Sequence, residues 1–418
     1  ICHLPRKFTK QPMTSQVARI LKTPSLEYRD FRFLSISSGF NSFGMAGEMV
    51  LIGWVVLELT NSPFSVGLTM GLRMVPMLML GIPAGVIADR VKRHIFLRLL
   101  NLSSIVPLVL PGLFAMANAL TFWHVVVFTV ISGTIQTFQQ VTRQSFAYDI
   151  VGAPLAVNGL AVVNFAMRIG GLVGSLAVGS ATERLGVDYA YFVLATCNLF
   201  SFLVLLYTRS QGQAAPTVTG TLKTNFKDYF HELRVNRTLL MLVILTGSVE
   251  IFGFSHMVLM PSIARDVLNV GAEGLGIISG IRSIGGIVGI IAIFVFGEIR
   301  RKGLVFLGVL YGFGICILCL GMFKSFVLVL IFLTLANAAA ALSDVLSQSI
   351  MQLNVSNALR GRAMGSWILA IGTGPIGHTQ IGALASLGGL AFALSINGIG
   401  LLILATVVTI IAPGLRKL

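Results

Sequence analysis

Two stretches of this chain, residues 99–142 and 363–415, contain no Asp, Glu, Lys or Arg. A hydrocarbon slab about 30 Å thick takes roughly 20 helical residues at about 1.5 Å rise each, so each stretch is long enough for two membrane-crossing helices joined by a tight turn. The rest of the composition agrees. Of the 418 residues, 55% are hydrophobic and 11% charged, where soluble domains carry about 25% charged residues. The mean hydropathy is +0.89. A water-soluble globule built from such a chain would expose apolar patches that water does not tolerate, which excludes a soluble enzyme.

Apolar stretches separated by turn or charge clusters predict twelve spans, at 31–59, 64–87, 95–117, 121–145, 155–180, 189–208, 238–262, 270–296, 303–323, 325–350, 361–384 and 389–411. The expected fold class is therefore an all-α membrane protein with twelve transmembrane helices in two six-helix pseudo-repeats. Residues 1–30, basic and polar, form a tail; 31–208 form one bundle and 238–418 the other. The polar segment 209–237 links them, and Phe226, Phe230 and Leu233 opposite Lys223, Lys227, Arg234 and Arg237 predict a short interfacial helix there that meets anionic headgroups. Ser65–Leu68 and Glu273–Gly276 open the second span of each half and form a weak internal repeat. When alternate loops are assigned to opposite sides, the side holding both termini collects the Lys and Arg, Arg143 among them. The other side has only Arg184, Arg265 and Lys324, and Arg73, Arg168 and Arg282 fall inside spans. Both termini are thus expected in the cytoplasm, and the net charge of +15 reads as topology and headgroup attraction, with no nucleic-acid partner.

Several motifs give a more specific signal. Gly85–His94 (GVIADRVKRH) resembles the signature loop between the second and third helices of the major facilitator superfamily, with Lys92 where the superfamily has its second Gly. Leu57–Leu68, Arg143–Val151, Asn158–Gly171 and Ala358–Trp367 extend the resemblance over both halves, in particular to bacterial drug and siderophore exporters such as the enterobactin and macrolide exporters. One departure is Arg168–Gly174 (RIGGLVG), where exporters often carry a Gly-Pro pair. The resemblance implies a secondary transporter of the bacterial cytoplasmic membrane that acts by alternating access. It also implies a cytoplasmic gate in which Gly85, Asp89, Arg90, Arg93, Arg143, Arg360 and Arg362 take part, Asp89 latching onto the helix that begins near Gly361–Gly365.

A charge inside a span costs about 2.5–3.5 kcal/mol on insertion scales, so Glu48, Glu250, Asp344, Arg73, Arg168 and Arg282 should face a cavity or a partner. The resemblance places Glu48, Glu250 and Asp344 on cavity-lining helices, where a carboxylic acid can exchange a proton and couple that exchange to solute release. A permanent pair with Arg73 or Arg282 is the structural alternative. Trp54, Gln136, Gln139, Gln140, Phe252 and His256 are candidates to hydrogen-bond or stack on an amphipathic solute. His378, after Gly372–Gly377, is expected at a kink. The six His show no metal-ligand spacing, no phosphate-binding loop or nucleophile set is present, and Cys316 and Cys319 read as packing. The expectation is a monomeric, non-enzymatic carrier that needs no cofactor, draws on the proton gradient and exports an amphipathic small molecule. Competing readings are an uptake carrier or lipid flippase of the same fold, and a non-transporting membrane sensor or scaffold.

Overall fold

The computed structural model describes residues 24–210, 237–296, 301–353, 367 and 370–411. Among them every regular element is a helix. We number the main ones α1 (Arg29–Thr60), α2 (Pro63–Arg90), α3 (Arg93–Ser103), α4 (Val106–Met116), α5 (Phe122–Arg184), α6 (Val187–Leu205), α7 (Arg237–Phe252), α8 (Gly271–Phe296), α9 (Lys302–Met322), α10 (Phe326–Leu353), α11 (Gly374–Gly388) and α12 (Leu390–Ile411). Among the described residues, ten segments are long and apolar enough to cross a membrane. Of the other two predicted spans, 121–145 falls on the first arm of α5 and 361–384 ends in α11, its residues 361–366 and 368–369 lying outside the described ones. The interfacial helix predicted beyond residue 210 lies outside the described residues.

Local chemistry sets most of the breaks. Asn61, at φ 49°, ends α1 in the left-handed conformation that Asn tolerates, and Ser62 then caps α2, with Pro63 in its first turn. The span predicted at 95–117 divides into α3 and α4 at Ser104–Ile105. Pro107, with no N–H to donate, fits the first turn of α4. The spans predicted at 121–145 and 155–180 are joined in one helical run, α5, of 63 residues. At φ 71° and ψ 170°, Gly152 reverses its direction with a conformation open only to glycine. The two arms then cross separately: Asp149 pairs with Arg93 at one end, while Arg184 reaches Glu273 at the other. The span predicted at 238–262 also breaks. α7 stops at Phe252, and the chain continues as a 3-10 turn (Phe254–Leu259) and a π turn (Ile263–Val267).

Buried polar groups tie the first half together. Asn101 of α3 donates to Ser201 of α6 at 3.0 Å and accepts from Gln139 of α5 at 2.8 Å. Gln139 in turn accepts from Asn41 of α1 at 3.2 Å. In an apolar slab such groups find partners only in one another, so the network fixes the rotation of four helices.

The two halves, before residue 211 and after residue 236, are joined mainly at one end, where α1 passes into α2. There the Glu183 carboxylate accepts from the N–H of Ala272 at 2.7 Å, Arg184 forks onto Glu273 at 2.9 and 3.1 Å, and Arg265 donates to the carbonyl of Leu57 and to Asn61. The N–H of Phe64 donates to Ser386. Nearer the middle, His378 meets the backbone of Met70. At the opposite end, marked by the bonds of Asp30 to the N–H groups of Arg209 and Ser210, the described residues show no hydrogen bond between the halves.

Candidate functional site

Between the halves lies a chamber of about 460 Å³. Its wall comes from α1 and α2, both arms of α5, α7 and the 3-10 turn after it, α8, α10 and α11. The bonds described above close it at one end, while Gln140 and Asn164 on its wall are solvent-exposed.

Arg73, Arg168, Arg282 and Glu250 line this chamber. Arg73 is buried and already engaged: it donates to Glu48 at 2.7 Å and to Gln136 at 3.2 Å, while its Nη1 is buried without a partner. Glu48 stands behind it, on a separate hollow of about 30 Å³ that Asn41, Gln139 and Asn198 also border. Of the two alternatives for Glu48, the geometry realises the ion pair with Arg73. Glu250, on the last turn of α7, faces the chamber. Arg282 lies within electrostatic reach of Glu250, Asp344 and Arg168, but no salt bridge joins any of these four among the described residues. Asp344, on α10, is half-buried and off the wall.

Of the uncharged candidates, Gln136 and Gln140 line the chamber. Trp54, Gln139, Phe252 and His256 do not, which corrects the expectation for each. Trp54 is buried two turns beyond Glu48, in the stretch of α1 where Gly53 lies against Pro261 and the halves close together. Gln139 is held by the polar network of the first half. Phe252 packs against α12 at Gly400. His256 is fully buried on the 3-10 turn, where its Nδ1 lies 2.6 Å from the carbonyl of Gly253, a group freed by the end of α7, and its ring meets Phe313 edge-on.

The sequence reading missed the dominant component of the wall. Met45, Met49, Met70, Met74, Met77, Met167, Met257 and Met260 all contribute to it, as do Phe254, Asn337 and His378. Methionine is unbranched and polarizable, so a wall rich in it can adapt to differently shaped apolar ligands. The signal was the count of 15 Met, with Met70, Met74 and Met77 at helical spacing. His378 is buried, and its Nδ1 has no partner.

Of the expected gate residues, Gly85, Arg90 and Arg93 lie at the end where the described residues show no hydrogen bond between the halves. Arg93 reaches Asp149 at 2.6 Å and donates to the carbonyl of Ala88. Asp149 lies within the motif Arg143–Val151 but was not singled out from the sequence. Arg143, counted among the charges of the side that holds both termini, is buried within α5, where it bonds Asn41 and approaches the sulfur of Met167. A polar helix face inside the bundle, not the loop, accounts for this charge. Arg90 is exposed at the end of α2, and a Cβ on Gly85 would meet nothing within 4 Å. The Asp89 side chain, Arg360, Arg362 and the Gly361–Gly365 segment lie outside the described residues.

A family profile described as transmembrane secretion effector matches residues 23–416. The staphyloferrin A transporter of Staphylococcus aureus is 23% identical over 83% of this chain and 87% of its own length. The enterobactin exporter EntS of Shigella flexneri is 22% identical over 92% of this chain and 91% of its own. Among solved structures, a nucleoside transporter, NupG, superposes with a TM-score of 0.73 at 15% identity, covering 91% of this chain and 98% of that one. An inward-facing, occupied bacterial homologue of the human lysosomal transporter Spinster gives 0.72 at 14% identity, over 98% of this chain and 99% of that one.

Proposed function

The chain belongs to the transmembrane secretion effector family of the major facilitator superfamily, and from that premise we propose that this transporter exports an amphipathic small molecule by alternating access, in exchange for protons. The observation that carries the reading is the methionine-rich chamber between the halves, which inter-half bonds close, among the described residues, at one end only. The basic residues Arg90, Lys92, Arg93 and Arg98 cluster at the other end, which the positive-inside rule assigns to the cytoplasm of a bacterial inner membrane. In that orientation the conformation is inward-facing and ready to load cargo from the cytoplasm. Release outward requires the bonds around Glu183, Arg184 and Arg265 to part while the Arg93 end closes. Similarity to siderophore transporters and exporters supports a cargo of that size and character.

Glu48 already has a cation as its partner, whereas Glu250 faces the chamber without a salt bridge among the described residues. Glu250 is therefore the carboxyl whose proton exchange is coupled to cargo movement. The test is uptake into everted vesicles from a panel of siderophores, macrolides and hydrophobic cations, with and without an inside-acid pH gradient. Gradient-driven accumulation that Glu250→Gln abolishes is the expected result. Accumulation only in the absence of a gradient contradicts antiport, and an absence of any flux favours a non-transporting role.

A further inference from the structure

Three arginines line the chamber, and among the described residues two of them have no counter-ion in contact. Arg73 is held by Glu48. Arg168, from the second arm of α5, extends across to the other half and lays its guanidinium over Gly286 of α8, where any Cβ would collide with it. Arg282 stands on that same helix four residues earlier, and helical positions four apart are neighbours, roughly 5–6 Å between Cβ atoms. The Arg168 guanidinium thus lies one turn from the Arg282 backbone, and the two cations, one from each half, are within electrostatic reach of each other on the chamber wall. Like charges so placed repel. Asp344 is within electrostatic reach of both and Glu250 of Arg282, but among the described residues neither acid forms an ion pair with either arginine. Arg282 is also exposed to the chamber.

We propose that Arg168 and Arg282 form a two-armed anion site spanning the halves, which takes the carboxylate or phosphate group of an amphipathic acid whose apolar body lies on Met45, Met49, Met74 and Met77. This rests on the transporter reading above and narrows its cargo to acids. A planar guanidinium donates two parallel N–H bonds to a carboxylate or phosphate, and two such groups converge only on an anion between them. Because Arg168 belongs to the first half and Arg282 to the second, the bound anion touches both halves where α5 meets α8. A soluble acid and an anionic lipid headgroup share this chemistry.

The test uses the full-length protein in phosphatidylcholine nanodiscs, with 1-naphthoate as the probe and 1-naphthylmethanol and 1-naphthylmethylammonium as matched neutral and cationic controls. Naphthoate is expected to bind about tenfold or more tightly than either control. Arg168→Gln and Arg282→Gln should each remove that preference while leaving binding of the alcohol unchanged, which also shows that the variants are folded. A preference for the alcohol or the ammonium, or a naphthoate preference that survives both substitutions, overturns the proposal. Nanodiscs containing phosphatidylglycerol separate the two sources: displacement of naphthoate identifies a headgroup site, and undiminished binding a site for soluble acids. Vesicle flux of a cationic or neutral cargo alone would leave the transporter reading standing and remove the anion site. Naphthoate binding without any flux would do the reverse.

Discussion

Gly179 on α5 and Gly276 on α8 hold the seam that closes the chamber, and the smallest possible enlargement of one of them should reopen it. A Cβ on Gly179 would lie 2.7 Å from both the Ala272 carbonyl oxygen and the Gly276 Cα, distances that real Cβ atoms do not adopt. Both obstacles are backbone, so relief requires the two helices to separate. Separation stretches the Glu183 bond to the α8 N-terminus at Ala272 and the Arg184–Glu273 pair. The exposed ion pair contributes little, about 0–1 kcal/mol. Steric overpacking dominates, at about 1–3 kcal/mol, which corresponds to a shift of roughly 5–150-fold between the two facing states. Gly280, one turn further along α8, provides the control: its Cβ would meet only the flexible ends of Leu172 and Leu176, the nearest atom at 3.0 Å. Spin labels at Leu185 and Leu387, exposed residues near this end in opposite halves, report the separation by pulsed electron resonance. Gly179→Ala should move most of the population to a longer distance, and Gly280→Ala should leave it within about twofold of the parent. Identical distance distributions for the two variants would refute the reasoning.

Other perturbations separate fold from chamber. Glu48→Gln or Arg73→Gln alone leaves one buried charge without its partner and should cost about 3–5 kcal/mol of stability, with the double variant less damaged than either, as read by a thermal double-mutant cycle. Additivity of the two single effects would contradict the pairing. Gln139→Leu removes contacts to Asn41, Leu100 and Asn101. Membrane-buried hydrogen bonds average about 0.6 kcal/mol each, so its melting temperature should fall by a few degrees while transport is retained.

How far the sequence reached follows from the solvent. The uncharged stretches 99–142 and 363–415 could lie only in lipid, and the Asn61–Pro63 junction carried the chemistry of a helix end and a helix start, so the crossings and many of their limits were legible. The side of each helix that faces the chamber was not. In water, an apolar face marks the interior; in a bilayer both the lipid face and the packed face are apolar, and periodicity loses its meaning. Trp54 and Phe252 therefore looked like chamber residues although packing claims them, and the methionines that form the wall were indistinguishable from core. Arg143, near the end of the span predicted at 121–145, was counted with the charges of the side that holds both termini. Here α5 continues through it to Gly152, and Asn41 receives the charge inside the bundle. Charged positions fared better as markers: Arg168, Arg282 and Glu250, singled out because burying a charge without purpose is costly, all line the chamber.

Side-specific labelling tests the central claim most directly. In a background free of native cysteines, Gln140→Cys on the chamber wall should react with a membrane-impermeant maleimide in inside-out vesicles and be protected in right-side-out ones, while Trp54→Cys, within the closed seam, should resist from both sides. Equal reaction of Gln140→Cys from the two faces, or reaction only from the outside, would contradict a chamber that opens to the cytoplasm.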